Sequence, residues 1–180
     1  MLPALETCRL MLRELAPEDA PAIQVWQNSP MQWRHMAVEP AEFFDAAVRI
    51  ANYLKYRGDD ANRRLFVYAA RLKHDGALIG SVSLARSHPE IASLGLSVAA
   101  SHGGRGYGTE LAHRILAFGF GDVRFNRIAA DVAVDNHPCL RVMEKIGMRR
   151  EGVARECIFA QGRWWTEAKF AILASDNAAG

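Results

Sequence analysis

Four of the six residues from Gly103 to Gly108 are glycine, and the run opens directly onto Leu111, Ala112, Ile115, Leu116 and Phe118. Apolar residues at that spacing form one face of a helix, so bare backbone must be delivered to a helix N-terminus. Exposed N–H groups there add to the helix dipole and favour an anion such as a diphosphate, which side chains would obstruct. For an isolated G-x-G, a tight strand-to-helix connection is an equally good account. Here the density of glycines and the helix that follows at once favour the cradle. The dinucleotide fingerprint is not met: the spacing is G-x-G-x-G, mid-chain, and Asp131 falls inside a strand-like run rather than at its end. Nicotinamide binding stays a minor alternative. No Lys-Ser or Lys-Thr pair follows the glycines, which excludes a Walker loop.

The elements around the loop are legible from period and punctuation. Leu10 and Leu12 alternate with Met11 and Arg13, and "APEDAPAIQVWQNSP" follows as a helix ended by Pro30. A loop from Pro30 to Pro40 leads to a second helix over about 41–56, with Phe43, Phe44, Ala47, Val48 and Ile50 on its apolar stripe. "RLFVYAARL" and "ALIGSVSLA" flank an Asp-Gly turn, a hairpin signal, and "IASLGLSVAA" makes a third antiparallel strand. After the loop come a helix over about 105–120, the strand "RIAADVAV", a helix capped by Asn136 and stopped by Gly147, and two long strands around Gln161-Gly162. Residues 1–174 are expected to form one domain and 175–180 a frayed tail.

Composition narrows the function classes. Half of the 180 residues are hydrophobic, enough for one substantial core. With 22 basic against 20 acidic residues, the net charge of +2 gives no pull on nucleic acid or an anionic membrane. "MLPALET" is neither basic nor apolar, and no stretch free of Asp, Glu, Lys and Arg is longer than 91–104, which is too short and small-residue-rich to span a bilayer. Cys8, Cys139 and Cys157 are odd in number, without CxxC, as expected in a reducing cytoplasm and without a metal site.

Three motifs in order carry a resemblance. "GGRGYG" resembles the R/Q-x-x-G-x-G/A signature of the GNAT superfamily of acyl-CoA-dependent N-acetyltransferases. "DNHPCLRVMEKIGM" is similar to its next element, and "GVARECIFAQGRWWTEAKFAIL" to the end of the subgroup that acetylates N-terminal amines of ribosomal proteins. The opening "LETCRLMLRELAPEDAPAI" fits the same subgroup. The resemblance implies an α/β (α+β) domain: a mixed, mostly antiparallel sheet of about seven strands with the fourth and fifth splayed, flanked by about four helices. Acetyl-CoA is the implied co-substrate, seated in the splay. Its diphosphate would lie on the Gly103, Gly104, Arg105, Gly106, Tyr107, Gly108 and Thr109 loop, and its pantetheine would pair with the strand edge at Val98 and Ala99. A bulge at Val98 would aim one N–H at the thioester oxygen, stabilising developing charge, and Asn136 would bond the pantetheine as well as cap its helix.

The chain departs from that pattern in ways that bear on chemistry. Gly103 replaces the usual Arg or Gln. Met143 stands where many members place a proton-donating tyrosine. Cys139 replaces a usual Ser and is the candidate proton donor to the CoA sulfur, its pKa matching another thiol; a small buried Cys accounts for it equally well. The fourth strand has only Ser93 and Ser97 where a Glu base is common, leaving deprotonation to water, with Glu156 a remote candidate. Trp33, Arg34 and His35 are the candidate acceptor-side residues, with Trp26, Trp164 and Trp165 as further aromatics, though packing is the default role of each Trp. No acidic cluster suited to a polyamine is visible. The expected reaction is direct attack of a primary amine on acetyl-CoA; a non-catalytic acyl-CoA-binding module is the alternative. The expected partners are an amine-bearing small molecule or a protein N-terminus, with no nucleic acid or membrane, and a second copy of the chain in a homodimer.

Overall fold

The computed structural model describes residues 2–37, 45–59 and 62–177. Strands β1 (Leu5–Glu6) and β2 (Leu10–Glu14) lead into helices α1 (Ala20–Gln27), α2 (Pro30–Trp33) and α3 (Ala46–Tyr56). Next come β3 (Leu65–Leu72), β4 (Leu78–His88), β5 (Ile91–Val98), α4 (Tyr107–Gly121), β6 (Arg127–Ala133) and α5 (His137–Lys145). β7 (Arg149–Ala160), β8 (Arg163–Leu173) and α6 (Ala174–Asn177) complete the described chain. The eight strands form one sheet in the order β1-β2-β3-β4-β5-β6-β8-β7. All neighbours are antiparallel except β5 and β6.

The strand total exceeds the expected seven because Leu5 and Glu6 pair with Leu12 and Met11. The strands that the resemblance numbers four and five are therefore β5 and β6. Pro30 does not end a helix: α1 stops at Gln27, and Pro30 instead opens α2, where its missing N–H costs nothing. Asp45 caps α3 by accepting from the Val48 amide at 3.0 Å, while Phe43 and Phe44 lie outside the described residues. The tail does not fray at once. Ala174–Asn177 is helical, with Asp176 accepting from the Leu173 amide at 3.2 Å and paired with Arg149 at 2.8 Å.

Alternation of side chains gives each strand two faces. One face, through Leu12, Tyr68, Leu84, Leu94, Ile128 and Phe170, packs on the apolar stripe of α4, on Met143 of α5 and on Ile146 at its C-cap. The other, through Ala69 and Ala99, packs on Ile23 and Trp26 of α1 and Ile50 and Tyr53 of α3. Gly119 brings α4 close to the sheet: a Cβ there would lie 2.8 Å from Ile128 Cδ1 and 2.9 Å from Leu84 Cδ1. The helix penalty of about 1 kcal/mol for glycine is smaller than the cost of pushing five buried side chains off the sheet. No helix of the described residues is long and apolar enough to cross a membrane.

Candidate active site

The sheet opens between β5 and β6. They pair only at Ile91↔Arg127, Ala92↔Ile128 and Ser93↔Ala129; beyond this, Leu94–Val98 stays with β4 and Ala130–Ala133 with β8. A cleft of about 1290 Å³ runs through the gap, from the glycine loop on the α4 face to α1, α2 and α3 on the other. The bond from the Ala99 amide to Ile79 O, 2.8 Å, sets the phase of the β4–β5 ladder. Because antiparallel pairs alternate, the backbone groups of Leu94, Leu96 and Val98 point away from β4 and into the gap.

Two expectations for this edge change. No bulge lies at Val98: the β4–β5 register runs unbroken from Arg86↔Ala92 to Gly80↔Val98, and its shift lies at the other end, by His88. Gly80 makes the regular approach possible, since a Cβ there would sit 2.4 Å from Ser97 O. The Val98 amide reaches the gap by ordinary alternation. Ala99 does not: its amide is taken by Ile79 and its side chain is buried. The free edge is Leu96 and Val98.

The glycine loop wraps the N-terminus of α4. Gly104 and Gly106 have φ of 74° and 83°, a region that disfavours side chains, and the Gly106 turn delays the helix to Tyr107. No amide of residues 104–109 donates to another group among the described residues, which leaves a set of orphan donors at the helix N-terminus. Gly104, Gly106, Tyr107, Gly108 and Thr109 line the cleft, whereas Gly103 and Arg105 do not. The Gly103 amide bonds Ala100 O at 3.1 Å, and Arg105 is held from behind by its carbonyl.

That hold comes from Arg9. Its Nη1 donates to Arg105 O at 2.9 Å, its Nε to Glu110 Oε2 at 2.7 Å, and its guanidinium lies 4.3 Å from the centre of the Tyr107 ring. The Arg9 amide and the Thr7 hydroxyl donate to Glu110 Oε1 at 2.9 and 2.5 Å. Burial would raise the Glu110 pKa, but these donors together hold it below the ordinary value. Partners 101 residues apart leave no local sequence signal, so Arg9 and Glu110 were not among the expected site residues.

Asn136 caps α5, its Oδ1 accepting from the Cys139 amide at 3.2 Å, while its NH2 remains to donate into the cleft that it lines. Cys139 lines the same wall. Burial pushes its thiol up to about 11, so its proton is not matched to that of a CoA thiol. Met143 is fully buried beside it.

On the α1–α3 side, Arg34 and His35 line the cleft with Met31, Gln32, Tyr53 and Tyr56. The expected tryptophans do not. Trp33 packs on the α1–α3 core, Trp26 and Trp165 are buried, and exposed Trp164 stands edge-on to Phe159 at 5.3 Å. Ser97 accepts from Gln32 Nε2 at 2.6 Å, while Ser93 is exposed outside the cleft. Glu156 is exposed in the irregular stretch of β7 with φ 48° and does not reach the cleft. Asp131 and Glu167, not expected from sequence, do line it, and Lys169 Nζ bridges them at 2.9 Å to each. Among the described residues no group of His, Cys, Asp and Glu could hold a metal ion.

Comparison with known proteins bears on what this cleft belongs to. The profile of the acetyltransferase (GNAT) domain matches residues 9–149. The uncharacterized N-acetyltransferase YnaD of Bacillus subtilis (strain 168) is 31% identical over 168 residues, covering 93% of this chain and 95% of that protein. An acetyltransferase (GNAT family) from Bacillus anthracis superposes with a TM-score of 0.84 at 24% identity, covering 96% of this chain and 99% of the other. Spermidine N-acetyltransferase from Vibrio cholerae, in complex with CoA and spermine, superposes with a TM-score of 0.83 at 26% identity, again over 96% and 99%. The chain therefore belongs to the GNAT acetyltransferase family and is an N-acetyltransferase that uses acetyl-CoA.

Proposed function

We propose that this enzyme transfers the acetyl group to the primary amine of a singly charged acceptor, a peptide or protein N-terminus or a small monoamine, by direct attack within a ternary complex. The observation that carries this reading is the continuity of one cleft from the α4 N-terminal amides, past the free β5 edge, to the α1–α3 wall.

The cleft's donors fit acetyl-CoA. The amides of residues 104–109 would hold its diphosphate, since they are unpaired and Gly106 adopts the φ of 83° on which their turn depends. Leu96 and Val98 offer unpaired backbone groups to the pantetheine amides, and Asn136 adds a side-chain donor. The thioester supplies an activated acyl group; the Val98 N–H is the donor placed to stabilise negative charge on its oxygen. Cys139 stays protonated, with burial holding its thiol at about 11. Transfer of that proton to a thiolate of ordinary basicity, near 8.5, is uphill by roughly 3 kcal/mol. Cys139 therefore serves as a weak hydrogen-bond donor to the leaving sulfur.

Charge on the acceptor wall favours one ammonium over several. Asp131 and Glu167 share the single Lys169 ammonium, and Arg34 and Arg49 bring two cations to the same cleft. A polyamine of the kind bound by the Vibrio cholerae protein would find little surplus negative charge. Arg34 lines the cleft and suits a peptide carbonyl or carboxylate.

Thiol release from acetyl-CoA, measured against simple monoamines, polyamines and short peptides with free N-termini, tests the reading. Release that depends on monoamines or peptides, with initial-rate lines that intersect, is expected. A polyamine preference would contradict the acceptor class, and parallel lines would contradict direct attack.

A further inference from the structure

Two polar atoms in the acceptor wall are buried with no hydrogen-bond partner among the described residues: His35 Nδ1 and Asp135 Oδ1. They face each other at 3.7 Å, just beyond hydrogen-bond range. Buried polar atoms left unpaired are disfavoured, and such groups in a native structure call for an explanation.

Both partners are held in place from behind. Asp135 lies on the β6–α5 connection next to Asn136, and its other oxygen accepts from Arg163 Nη2 at 2.9 Å. The Arg163 guanidinium stacks 3.5 Å from the centre of the Trp165 ring, and Trp165, 2% exposed, is pinned by Nε1 donating to Ala160 O. On the other side Gln161 Nε2 donates to Trp33 O at 3.1 Å and Met36 O at 2.7 Å, bracketing His35. The His35 side chain is 30% exposed while its Nδ1 is covered. Its exposure therefore falls on the edge that carries Nε2, and His35 lines the cleft.

We infer that His35 is the general base for the acceptor amine and that Asp135 is its positioning residue. This rests on the acetyl-transfer reading above. An ammonium has no lone pair, and imidazole is the side chain suited to exchange protons near neutral pH. β5 offers no carboxylate for the task, and Glu167 is engaged through Oε2 by Lys169 and Cys157. A small closing of that 3.7 Å gap lets Nδ1–H donate to Asp135 Oδ1, which leaves the Nε2 lone pair to face the acceptor. Nε2 removes one proton from the ammonium, and the freed nitrogen lone pair forms the N–C bond to the acyl carbon. The C–S bond breaks, the sulfur leaves with the bonding pair, and the second proton of the attacking nitrogen passes to it. His35 returns its proton to solvent.

The test uses the full chain and an acceptor active in the thiol-release assay. His35→Gln is expected to lower kcat about a hundredfold or more, within the range for a lost general base. The KM for acetyl-CoA and the calorimetric affinity for CoA should stay within about twofold, as the variant leaves the CoA loop untouched. An acceptor amine already neutral at the assay pH should lose less than about tenfold. Asp135→Asn should lower kcat by about tenfold or more, and nitrogen NMR of the neutral imidazole should show His35 moving from the Nδ1–H to the Nε2–H tautomer. Parent-like kcat in His35→Gln, an equal loss with the already neutral amine, or a larger loss in Glu167→Gln overturns the base. An unchanged tautomer in Asp135→Asn overturns the positioning. Absence of amine-dependent release from the parent chain itself overturns acetyl transfer to an amine, and this role with it.

Discussion

Arg9 Nη1 donates to the carbonyl oxygen of Arg105 at 2.9 Å, joining the β1–β2 turn to the loop that opens α4. Turning that carbonyl outward leaves the neighbouring amides facing the cleft, and the Glu110 carboxylate locks the guanidinium in place. Arg9→Ala should weaken CoA binding by about tenfold in calorimetry, with little loss of thermal stability because Arg9 is half exposed. Glu110→Gln should weaken it less. CoA affinity equal to the parent's in Arg9→Ala would show that the loop holds its shape unaided.

A second cluster governs stability. Glu14, nearly buried, accepts from the Tyr53 hydroxyl at 2.9 Å, Arg63 at 2.8 Å, the Leu2 amide at 2.8 Å and Arg57. Burial would raise its pKa, but the Leu2, Arg63 and Tyr53 donors hold it below the ordinary value. A depressed carboxylate adds stability above its unfolded pKa, near 4.3, and loses it as pH falls through the folded value. Burial, then the Glu14 bond, raises Tyr53 to about 12. Its contribution is complete below the ordinary tyrosine value near 10 and fades from there up to about 12. Glu14→Gln should lower stability by about 3 kcal/mol at neutral pH, the cost of stranding a buried cation, and flatten the acid limb of melting temperature against pH. Tyr53→Phe should flatten the alkaline limb. Unaltered limbs would remove the cluster from the pH dependence.

Cys139 separates a hydrogen-bond donor from a proton source. With the thiol held at about 11, Cys139→Ala should lower kcat only severalfold, without change in the KM for acetyl-CoA. Cys139→Ser should match or exceed the parent rate, since a hydroxyl is the stronger donor. A hundredfold loss in the alanine variant that serine repairs would establish full proton transfer from this position.

The parts of the site that lie along one stretch of chain were legible. Gly104, Gly106 and the helix after them declare a bare helix N-terminus because glycines and an apolar stripe leave local marks, and Asn136 and Gly147 mark both ends of α5 in the same way. Contacts between distant stretches were not. The Arg9–Glu110 clamp, the Lys169 bridge and the His35–Asp135 pair depend on the sheet bringing separate turns together, and a lone Arg, Lys or His in a loop has no period to read. Trp33 misled because bulk signals burial more readily than it signals which side of a wall a ring occupies; it packs toward α1 and α3, while Trp26 and Trp165 take the packing role that was their default. The Val98 bulge was also misplaced: an N–H that faces the gap needs only the alternation of the ladder.

The seat of the CoA diphosphate is the centre of the proposed site, and calorimetric titration of CoA into the parent chain and Gly106→Val tests it most directly. Gly106 holds φ at 83°, where a β-branched residue is strained, and its removal disturbs the row of amides at the start of α4. The parent should bind CoA one-to-one, and the variant, checked to remain folded by circular dichroism, should show no measurable binding. Equal CoA affinity in a folded Gly106→Val would contradict the placement of the diphosphate on this loop.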